Sequence, residues 1–371
     1  MSETEQVPEE AAETSANGKG NVARRATPPA RFSAEPFSPR LFLGNGHLQT
    51  IAGNFLSRIS RLPPAVPELV EVSPASDSQI ASKVLCDCLW HPEGVRPKRP
   101  TVILVHGLEG SSESQYMIGN ANKMWLAGYN VVRMNMRNCG ETERLSPTLY
   151  HSGMSDDIGI VLRHFIARER LQSVALVGYS MGGNLVLKLT GELGAEVPSQ
   201  LHSVVAISPS IDLAASSDAL HRGLNRLYER RFLRRLIRRF RLKVSLFPRA
   251  YDARRVVGVG SLREYDQRIT ALYSGFASAD DYYARASAVR VLDRVAVPTL
   301  VLHAEDDPFV PLEPETRAAL NTNPWITLLA SQHGGHCAFL ARPSLAKSDS
   351  VYKDDGYWAE TTLLRFIRAY A

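Results

Sequence analysis

The segment 178–182, with the sequence Gly-Tyr-Ser-Met-Gly, constrains the fold of this chain more than any other feature. It follows an apolar run at 174–177 and precedes a helix-forming run at 184–188. A serine between glycines at a strand-to-helix junction is typical of a nucleophile elbow, a strained turn with no room for a neighbouring Cβ. The helix N-terminus at this turn favours the negative charge that acyl transfer develops. The segment therefore predicts Ser180 as a nucleophile.

A serine hydroxyl becomes an effective nucleophile when a histidine accepts its proton and a carboxylate orients that histidine. In folds that carry this elbow, the acid and then the histidine follow the serine along the chain. The predicted strand 298–303 leads into two adjacent acids, of which Asp307 fits the usual spacing best and Asp306 is the alternative. The next predicted strand leads into a Gly-rich loop, which offers His336 as the general base and His333 as the alternative.

An oxyanion hole requires backbone N–H groups directed at the developing charge. The predicted strand 101–106 ends in a His-Gly loop upstream of the elbow. In folds with a nucleophile elbow, such a loop supplies one donor and the residue after the nucleophile supplies the other. We therefore predict the backbone N–H groups of Leu108 and Met181 as the oxyanion donors.

Strand and helix segments alternate along the chain, as an α/β fold requires. The intervals between strands are long enough for helical crossovers, which indicates a mainly parallel central sheet with flanking helices. Between residues 209 and 297 the strand pattern stops and charged, helix-forming residues dominate, which predicts an inserted helical lid. The predicted strands are 101–106, 130–136, 173–178, 202–207, 298–303 and 325–330, and the predicted helices are 115–127, 155–170, 181–194, 312–320 and 356–370.

The length and composition of the chain fit one catalytic domain. Its 371 residues are 44% hydrophobic, which is enough for a full core plus the insertion. Residues 1–35 are rich in Glu, Ala, Pro, Ser and Gly and contain no apolar run, which predicts a disordered N-terminal tail. Residues 36–371 then form the predicted catalytic domain, with the lid at about 209–297.

Several further motifs occur in a fixed order with the elbow. They are 44–50 (Gly-Asn-Gly-His-Leu-Gln-Thr), 106–110 (His-Gly-Leu-Glu-Gly), 134–137 (Met-Asn-Met-Arg), 150–153 (Tyr-His-Ser-Gly), 281–283 (Asp-Tyr-Tyr), 306–309 (Asp-Asp-Pro-Phe) and 333–336 (His-Gly-Gly-His). Together they resemble the AB hydrolase superfamily, AB hydrolase 4 family, the YheT-like esterases, over roughly residues 36 to 370. The resemblance implies an α/β-hydrolase fold, hydrolysis of carboxylic esters of the short-chain carboxylesterase or acylglycerol lipase type, and a triad of Ser180, Asp307 and His336.

A basic run lies inside the predicted lid and contains no acid. Its apolar residues recur at helical spacing, so one helix face is apolar and the rest is cationic. Two interpretations follow: the helix contacts an anionic membrane and brings lipid esters to the site, or its apolar face packs on the domain and its arginines are solvated. The net charge of +5 is modest and no aromatic platform accompanies the run, which argues against nucleic acid as a partner. The basic residues are Arg230, Arg231, Arg234, Arg235, Arg238, Arg239, Arg241 and Lys243.

The sequence contains four cysteines, of which Cys86 and Cys88 lie two residues apart, but no second Cys or His pair at ligand spacing accompanies them, which predicts no metal site. The predicted chemistry needs no cofactor. No apolar run is long enough for a transmembrane helix, and Arg24-Arg25 precedes no apolar signal region. We therefore expect a cytoplasmic enzyme, with peripheral membrane contact through Arg230–Lys243 as the open alternative.

Two other functions remain alternatives to ester hydrolysis. Peptidases use the same triad, so an amidase or peptidase activity stays open. A non-enzymatic scaffold with a hydrolase fold would be expected to lack a member of the triad, and none is missing here. We therefore predict a small-molecule or lipid ester as the substrate.

Overall fold

The computed structural model describes residues 27–76, 79–343 and 355–371, and in these ranges eight strands form one sheet. The strands are β1 (Val66–Ser73), β2 (Ser82–Leu89), β3 (Thr101–Val105), β4 (Asn130–Met134), β5 (Val174–Tyr179), β6 (Leu201–Ile207), β7 (Thr299–Ala304) and β8 (Ile326–Ser331). Their order in the sheet is β1-β2-β4-β3-β5-β6-β7-β8. Strands β3 to β8 are parallel, and β1 and β2 pair antiparallel at one edge.

This mainly parallel sheet confirms the predicted α/β-hydrolase fold, and β3 to β8 lie at the six predicted strand segments. The two antiparallel strands, β1 and β2, are additional. In β2, Val84, Cys86 and Cys88 are buried while the residues between them are partly exposed. This alternation with a period of two is the sequence signal that identifies such a strand.

Helices connect the parallel strands as crossovers and cover both faces of the sheet. The five predicted helices agree with observed helices to within two residues at each end. The helices are α1 (Gly46–Phe55), α2 (Gln115–Leu126), α3 (Ser155–Glu169), α4 (Met181–Leu193), α5 (Leu213–Leu220), α6 (Arg226–Leu246), α7 (Leu262–Tyr265), α8 (Ala271–Ser274), α9 (Ala279–Ala286), α10 (Pro314–Thr322) and α11 (Trp358–Tyr370). A π-helical turn, Asp266–Thr270, joins α7 to α8.

The core consists of one hydrophobic cluster on each face of the sheet. On one face, α3 and α4 contribute Phe165 and Leu185, which are at most 1% exposed. On the other face, α2 and α11 contribute Met124 and Phe366. Strands β3 to β7 are buried along their whole length, as expected for parallel strands covered on both sides. The carboxyl ends of these strands therefore lie at one edge, where their loops bring the predicted site residues together.

Helices α5 to α9 lie between β6 and β7, in the segment predicted as a lid. The described residues of this segment, 209–297, contain no strand. Leu233, Leu236 and Phe240 of α6 form a separate apolar cluster with Phe309 and Val310, which follow β7. The insertion is therefore packed against the loop that carries the predicted acid, and its function as a lid stays a prediction.

The predicted N-terminal tail lies partly outside the described residues, which begin at residue 27. Residues 27–35 have no regular secondary structure but contact the domain. The Phe32 ring packs edge-on against Phe366, with 5.3 Å between ring centroids. The Trp358 indole N–H donates to the Glu35 carbonyl oxygen at 3.0 Å. Within the described ranges, no helix combines the length and apolar character needed to cross a bilayer.

Candidate active site

Ser180 lies at the turn between β5 and α4, in a backbone conformation with φ 52° and ψ −117°. A Cβ at Gly178 would lie 2.2 Å from the Gly182 carbonyl oxygen, and one at Gly182 would lie 2.5 Å from the His106 carbonyl oxygen. Both glycines are therefore required by close backbone contacts. The turn holds the Ser180 side chain at the N-terminus of α4, in the strained geometry that the sequence predicts.

Two predicted residues complete a hydrogen-bonded chain with Ser180. The His336 Nε2 atom lies 2.9 Å from the Ser180 Oγ, and its Nδ1 atom lies 2.7 Å from the Asp307 Oδ2. The Asp307 Oδ1 accepts hydrogen bonds from the backbone N–H groups of Phe309 and Val310 at 3.1 and 3.0 Å. The Asp307 side chain is 1% exposed and that of His336 is 11% exposed. The carboxylate is therefore fixed in orientation and screened from water.

The electrostatics of Asp307 and His336 favour the protonated imidazole that forms when Ser180 transfers its proton to His336. Burial is the largest single influence and lowers the pKa of His336, but the Asp307 carboxylate and Cys337 together outweigh it, so the pKa lies above its ordinary value. An imidazole with a raised pKa is a stronger base toward the serine hydroxyl. The arrangement can therefore accept a proton from Ser180 and hold it close to the reacting atoms.

The alternative acid and base contact each other instead of Ser180. The Asp306 Oδ2 lies 3.4 Å from the His333 Nδ1, and the Asp306 Oδ1 accepts from the Gly335 N–H at 2.8 Å. These contacts hold the loop that carries His336. The structure thus brings Asp307 and His336 to the nucleophile and leaves Asp306 and His333 as supports of the loop.

The motif at 44–50 supports the loop that carries His336. This role is not evident from the sequence, because the motif lies far from that loop along the chain. The Thr50 Oγ1 accepts a hydrogen bond from the backbone N–H of His336 at 2.8 Å. The Gln49 amide exchanges hydrogen bonds with both the N–H and the carbonyl oxygen of Leu340. A Cβ at Gly46 would lie 1.8 Å from the Asp306 carbonyl oxygen, so only glycine fits there. Helix α1 therefore positions the backbone of the predicted base.

Two tyrosines hold the loop that contains the first predicted oxyanion donor. The Tyr116 hydroxyl accepts from the Gly107 N–H at 2.9 Å, and the Tyr150 hydroxyl accepts from the Glu109 N–H at 3.2 Å. The Leu108 amide lies between these two fixed neighbours. The second predicted donor, the Met181 amide, belongs to the first residue of α4 and has no partner inside the helix. Tyr150 begins the motif 150–153, but sequence analysis assigned it no role in the oxyanion hole, and it did not identify Tyr116.

An ion pair joins this loop to α6. The Arg239 guanidinium binds both oxygens of Glu109, at 2.9 and 3.2 Å, and contacts Glu143 at 3.0 Å. The Glu109 side chain is 2% exposed. A bidentate, buried pair of this kind fixes geometry as well as charge. Arg239 therefore links the insertion to the residue beside Leu108.

Two basic residues of the run at 230–243 differ from the expectation of a fully exposed cationic face. Arg239 is paired as described above, and Lys243 is completely buried. The Lys243 Nζ donates to the backbone oxygens of Glu143 and Ser146, and burial lowers the pKa of Lys243 to about 7. The other six basic residues are exposed, and the apolar face of α6 packs on the domain as one of the two interpretations requires.

Two openings meet at Ser180. The first, which we call the inner cavity, measures about 1020 Å³ including its mouth and extends between α6 and helices α5 and α9. Its α6 wall includes the apolar side chains of Phe232, Leu236 and Phe240, together with the charged side chain of Arg239. The second, which we call the outer groove, measures about 1770 Å³ and reaches both Ser180 and His336 between α1 and α6. An ester bound at Ser180 can therefore direct one part into each opening.

A buried carboxylate lies on the polar wall of the inner cavity. The side chain of Asp266, in the π-helical turn, accepts hydrogen bonds from the hydroxyls of Thr270 and Tyr283 at 2.7 and 2.8 Å. Burial raises the pKa of Asp266 to about 6, because these hydrogen bonds offset only part of the cost of desolvating the charge. The carboxyl thus changes charge within the range where esterases are assayed.

Asp266→Asn is expected to change the pH dependence of stability. A carboxyl whose pKa is raised by folding stabilises the protein below its unfolded pKa, and this contribution is lost as the pH rises through about 6. The variant should therefore gain stability relative to the wild type between about pH 4 and pH 7, by up to about 3 kcal/mol. Urea unfolding at both pH values measures this change. Glu315→Gln, at an exposed acid on α10, is the control, and equal pH profiles for Asp266→Asn and the wild type would contradict the assignment.

No group of three or more His, Cys, Asp or Glu side chains is arranged to hold a metal ion in the parts of the chain that the structure describes. The four cysteines are free thiols. Burial raises the pKa of Cys86 and Cys88 far above the ordinary value of a thiol. A metal binds thiolates, so this pair on β2 is poorly suited to act as metal ligands.

The sheet topology, the elbow and the hydrogen-bonded chain at its tip define a hydrolase of the α/β-hydrolase fold. The chain belongs to this family, because residues 100–343 match the family described as alpha/beta hydrolase fold.

Relatives across a large part of the chain agree with that assignment. YheT of Escherichia coli (strain K12), provisionally named an esterase, is 30% identical over 312 residues, which are 83% of this chain and 88% of YheT. Phospholipase ABHD3 of Mus musculus is 32% identical over 246 residues, which are 65% of this chain. The matched region spans 59% of ABHD3, less than two thirds of its length. The likeness to YheT confirms the resemblance to the YheT-like esterases.

Proposed function

We propose that the ester hydrolysis carried out by this chain proceeds through an acyl-enzyme on Ser180, with His336 as the general base and Asp307 as the acid that orients it. The observation that carries the proposal is the unbroken chain of hydrogen bonds from Asp307 through both ring nitrogens of His336 to the Ser180 Oγ, at 2.7 and 2.9 Å. A nucleophile, a base and an orienting group in this geometry are what acyl transfer requires.

The two half-reactions use the same groups. The Ser180 Oγ attacks the ester carbonyl carbon while the His336 Nε2 accepts the hydroxyl proton, and the Asp307 carboxylate stabilises the resulting imidazolium. The backbone N–H groups of Leu108 and Met181 bind the oxyanion. His336 then donates its proton to the departing alcohol. Water, deprotonated by His336, attacks the acyl group and releases the acid and the free serine.

The two openings suggest where the acyl and alcohol parts of an ester bind. The apolar wall of the inner cavity suits the acyl chain, since sites for small ligands are mostly apolar with a few polar groups. The outer groove then accepts the alcohol. The names of YheT and ABHD3 support esters and phospholipids as substrate classes, and we propose a small-molecule or lipid ester for this chain. The 209–297 segment serves as the lid, because α6 forms one wall of both openings.

A labelling and turnover experiment tests this function. A fluorophosphonate should add once to the folded protein, and peptide mass spectrometry should place the adduct on Ser180. A series of p-nitrophenyl esters of increasing acyl length should be hydrolysed, and the preferred length separates a short-chain carboxylesterase from a lipase. The p-nitroanilide with the same acyl group is the matched amide substrate.

Each alternative function has its own result in this experiment. Faster turnover of the anilide than of the ester would support an amidase or peptidase. A folded protein that neither reacts with the fluorophosphonate nor hydrolyses any ester would support a non-enzymatic scaffold. Labelling at another serine would overturn the assignment of Ser180 while leaving hydrolysis in place.

A further inference from the structure

Exposed large apolar side chains are concentrated in two segments of the described chain, residues 41–59 around α1 and residues 224–227 at the start of α6, and the others are scattered. Phe42 is 86% exposed, Ile59 76% and Leu227 65%. Phe55 on α1 is 65% exposed and Ile51 is 45% exposed. Single exposed apolar residues are ordinary on a protein surface, but a group of this size marks an interaction site. We call these two segments the entrance face.

The first segment of the entrance face contacts the first two turns of α6 at the outer groove. The His47 Nδ1 lies 3.2 Å from the Tyr228 hydroxyl, and the two rings are stacked. The Arg231 guanidinium lies over the Phe55 ring, 5.4 Å from its centroid. Phe55, Tyr228 and Arg231 line the same groove as Ser180. The entrance face therefore borders the mouth of the passage to the nucleophile.

Helix α6 continues from the entrance face with a strongly cationic surface. Glu229, the one acid of this helix, is buried and accepts from the backbone N–H of Leu262. The exposed charges of α6 are therefore all positive. An apolar surface beside clustered arginines is complementary to the boundary between acyl chains and anionic headgroups. The seven exposed basic residues of α6 are Arg226, Arg230, Arg231, Arg234, Arg235, Arg238 and Arg241.

We propose that the entrance face docks on a bilayer that contains anionic lipids. The apolar side chains around α1 enter the boundary of the acyl chains, and the exposed arginines of α6 contact the headgroups. The apolar face of α6 cannot insert, because Leu233, Leu236 and Phe240 are buried in the insertion. The docking element is thus α1, and the cationic face of α6 supplies the electrostatic attraction. This inference rests on the proposed function and places the membrane at the mouth of the outer groove.

Vesicle co-sedimentation of the Ser180→Ala variant tests the docking without consuming lipid. The variant should bind vesicles of phosphatidylcholine mixed with phosphatidylglycerol, and bind pure phosphatidylcholine vesicles less. Adding Phe42→Asp and Leu227→Asp should weaken binding to the mixed vesicles about tenfold or more. Neither of these side chains lines the outer groove. The matched control carries Val257→Asp and Leu272→Asp, at positions that are 66% and 47% exposed outside the entrance face, and should bind as the parent does.

A second variant isolates the electrostatic part. Arg234→Gln with Arg238→Gln should weaken binding to the mixed vesicles about 25-fold at low salt, since each arginine near an anionic surface contributes a factor of about five. Binding to pure phosphatidylcholine should not change. Raising the salt concentration should reduce binding of the parent more than binding of this variant.

Three results would overturn the proposal. The first is that the Ser180→Ala protein does not bind mixed vesicles at low salt. The second is that Phe42→Asp with Leu227→Asp binds as well as its control. The third is a concentration-dependent dimer in analytical ultracentrifugation that the same pair of substitutions dissociates, since the entrance face would then be covered by a second copy of this chain. Vesicle binding does not depend on turnover, so failure of the proposed esterase mechanism and failure of the docking are separate results.

Discussion

Ser180→Ala is expected to lower kcat for p-nitrophenyl esters by a factor of about 10³ to 10⁶, because the variant has no hydroxyl oxygen at the elbow to attack the ester and hold the acyl group. The substitution removes one hydroxyl and keeps the Cβ at a position with φ 52° and ψ −117°, so stability should change by less than about 1 kcal/mol. The measurement is the steady-state rate with a short-chain and a medium-chain ester, together with a thermal unfolding curve for each protein.

Ser210→Ala is the matched control for this substitution. Ser210 lines the same inner cavity and is 8% exposed, but its hydroxyl lies outside the hydrogen-bonded chain that contains His336. The control should retain kcat within about tenfold of the wild type. Substantial ester hydrolysis by a correctly folded Ser180→Ala protein would mean that the elbow does not supply the nucleophile.

Asp307→Asn is expected to lower kcat by about 10⁴ with little loss of stability. The amide oxygen of the variant can keep the two hydrogen bonds from the Phe309 and Val310 N–H groups. Its NH₂ group would then face the Nδ1 of His336, which must become an acceptor. The ring would carry its proton on Nε2 and could no longer accept one from Ser180. Steady-state kinetics across pH and an unfolding curve measure both effects.

The neighbouring acid provides the control. Asp306→Asn should cost less than about tenfold in kcat, because an amide oxygen can still accept the hydrogen bond from the Gly335 N–H. A larger loss for Asp306→Asn than for Asp307→Asn would assign the orienting acid to Asp306.

In Asp307→Asn, removal of the carboxylate also removes the main cause that raises the pKa of His336. The acidic limb of the residual activity should therefore shift to lower pH.

The elements that sequence analysis predicted well are those determined by local patterns. The elbow at 178–182 requires glycines on both sides of Ser180, and a Cβ at either glycine would overlap backbone atoms. The six parallel strands are continuous apolar runs and the five predicted helices have helical periodicity, so each is visible within a short window. Strand β2 was missed although Val84, Cys86 and Cys88 alternate with more exposed residues. Its pattern is that of an antiparallel strand with one face partly exposed.

Contacts between distant segments were not predictable in the same way. The sequence offers two adjacent acids and two histidines three residues apart, and the spacing alone leaves either of each open. The folded loop pairs Asp307 with His336 and Asp306 with His333. The support of His336 by Thr50 joins residues 286 positions apart, and no local periodicity reports such a contact.

The basic run shows the same division between local and tertiary information. Its helical spacing and cationic character follow from the order of its residues, because side chains three and four positions apart share a face of a helix. The tertiary structure gives the basic residues of this run different environments. Arg239 is paired with Glu109 and Lys243 is buried against backbone oxygens, while the other arginines of the run are exposed. The sequence thus determined the fold class, and it predicted the nucleophile and the order of the site residues, since each depends on a short pattern. The tertiary structure decided which acid and base meet Ser180 and which apolar surface borders the groove, because burial and pairing depend on segments that only folding brings into contact.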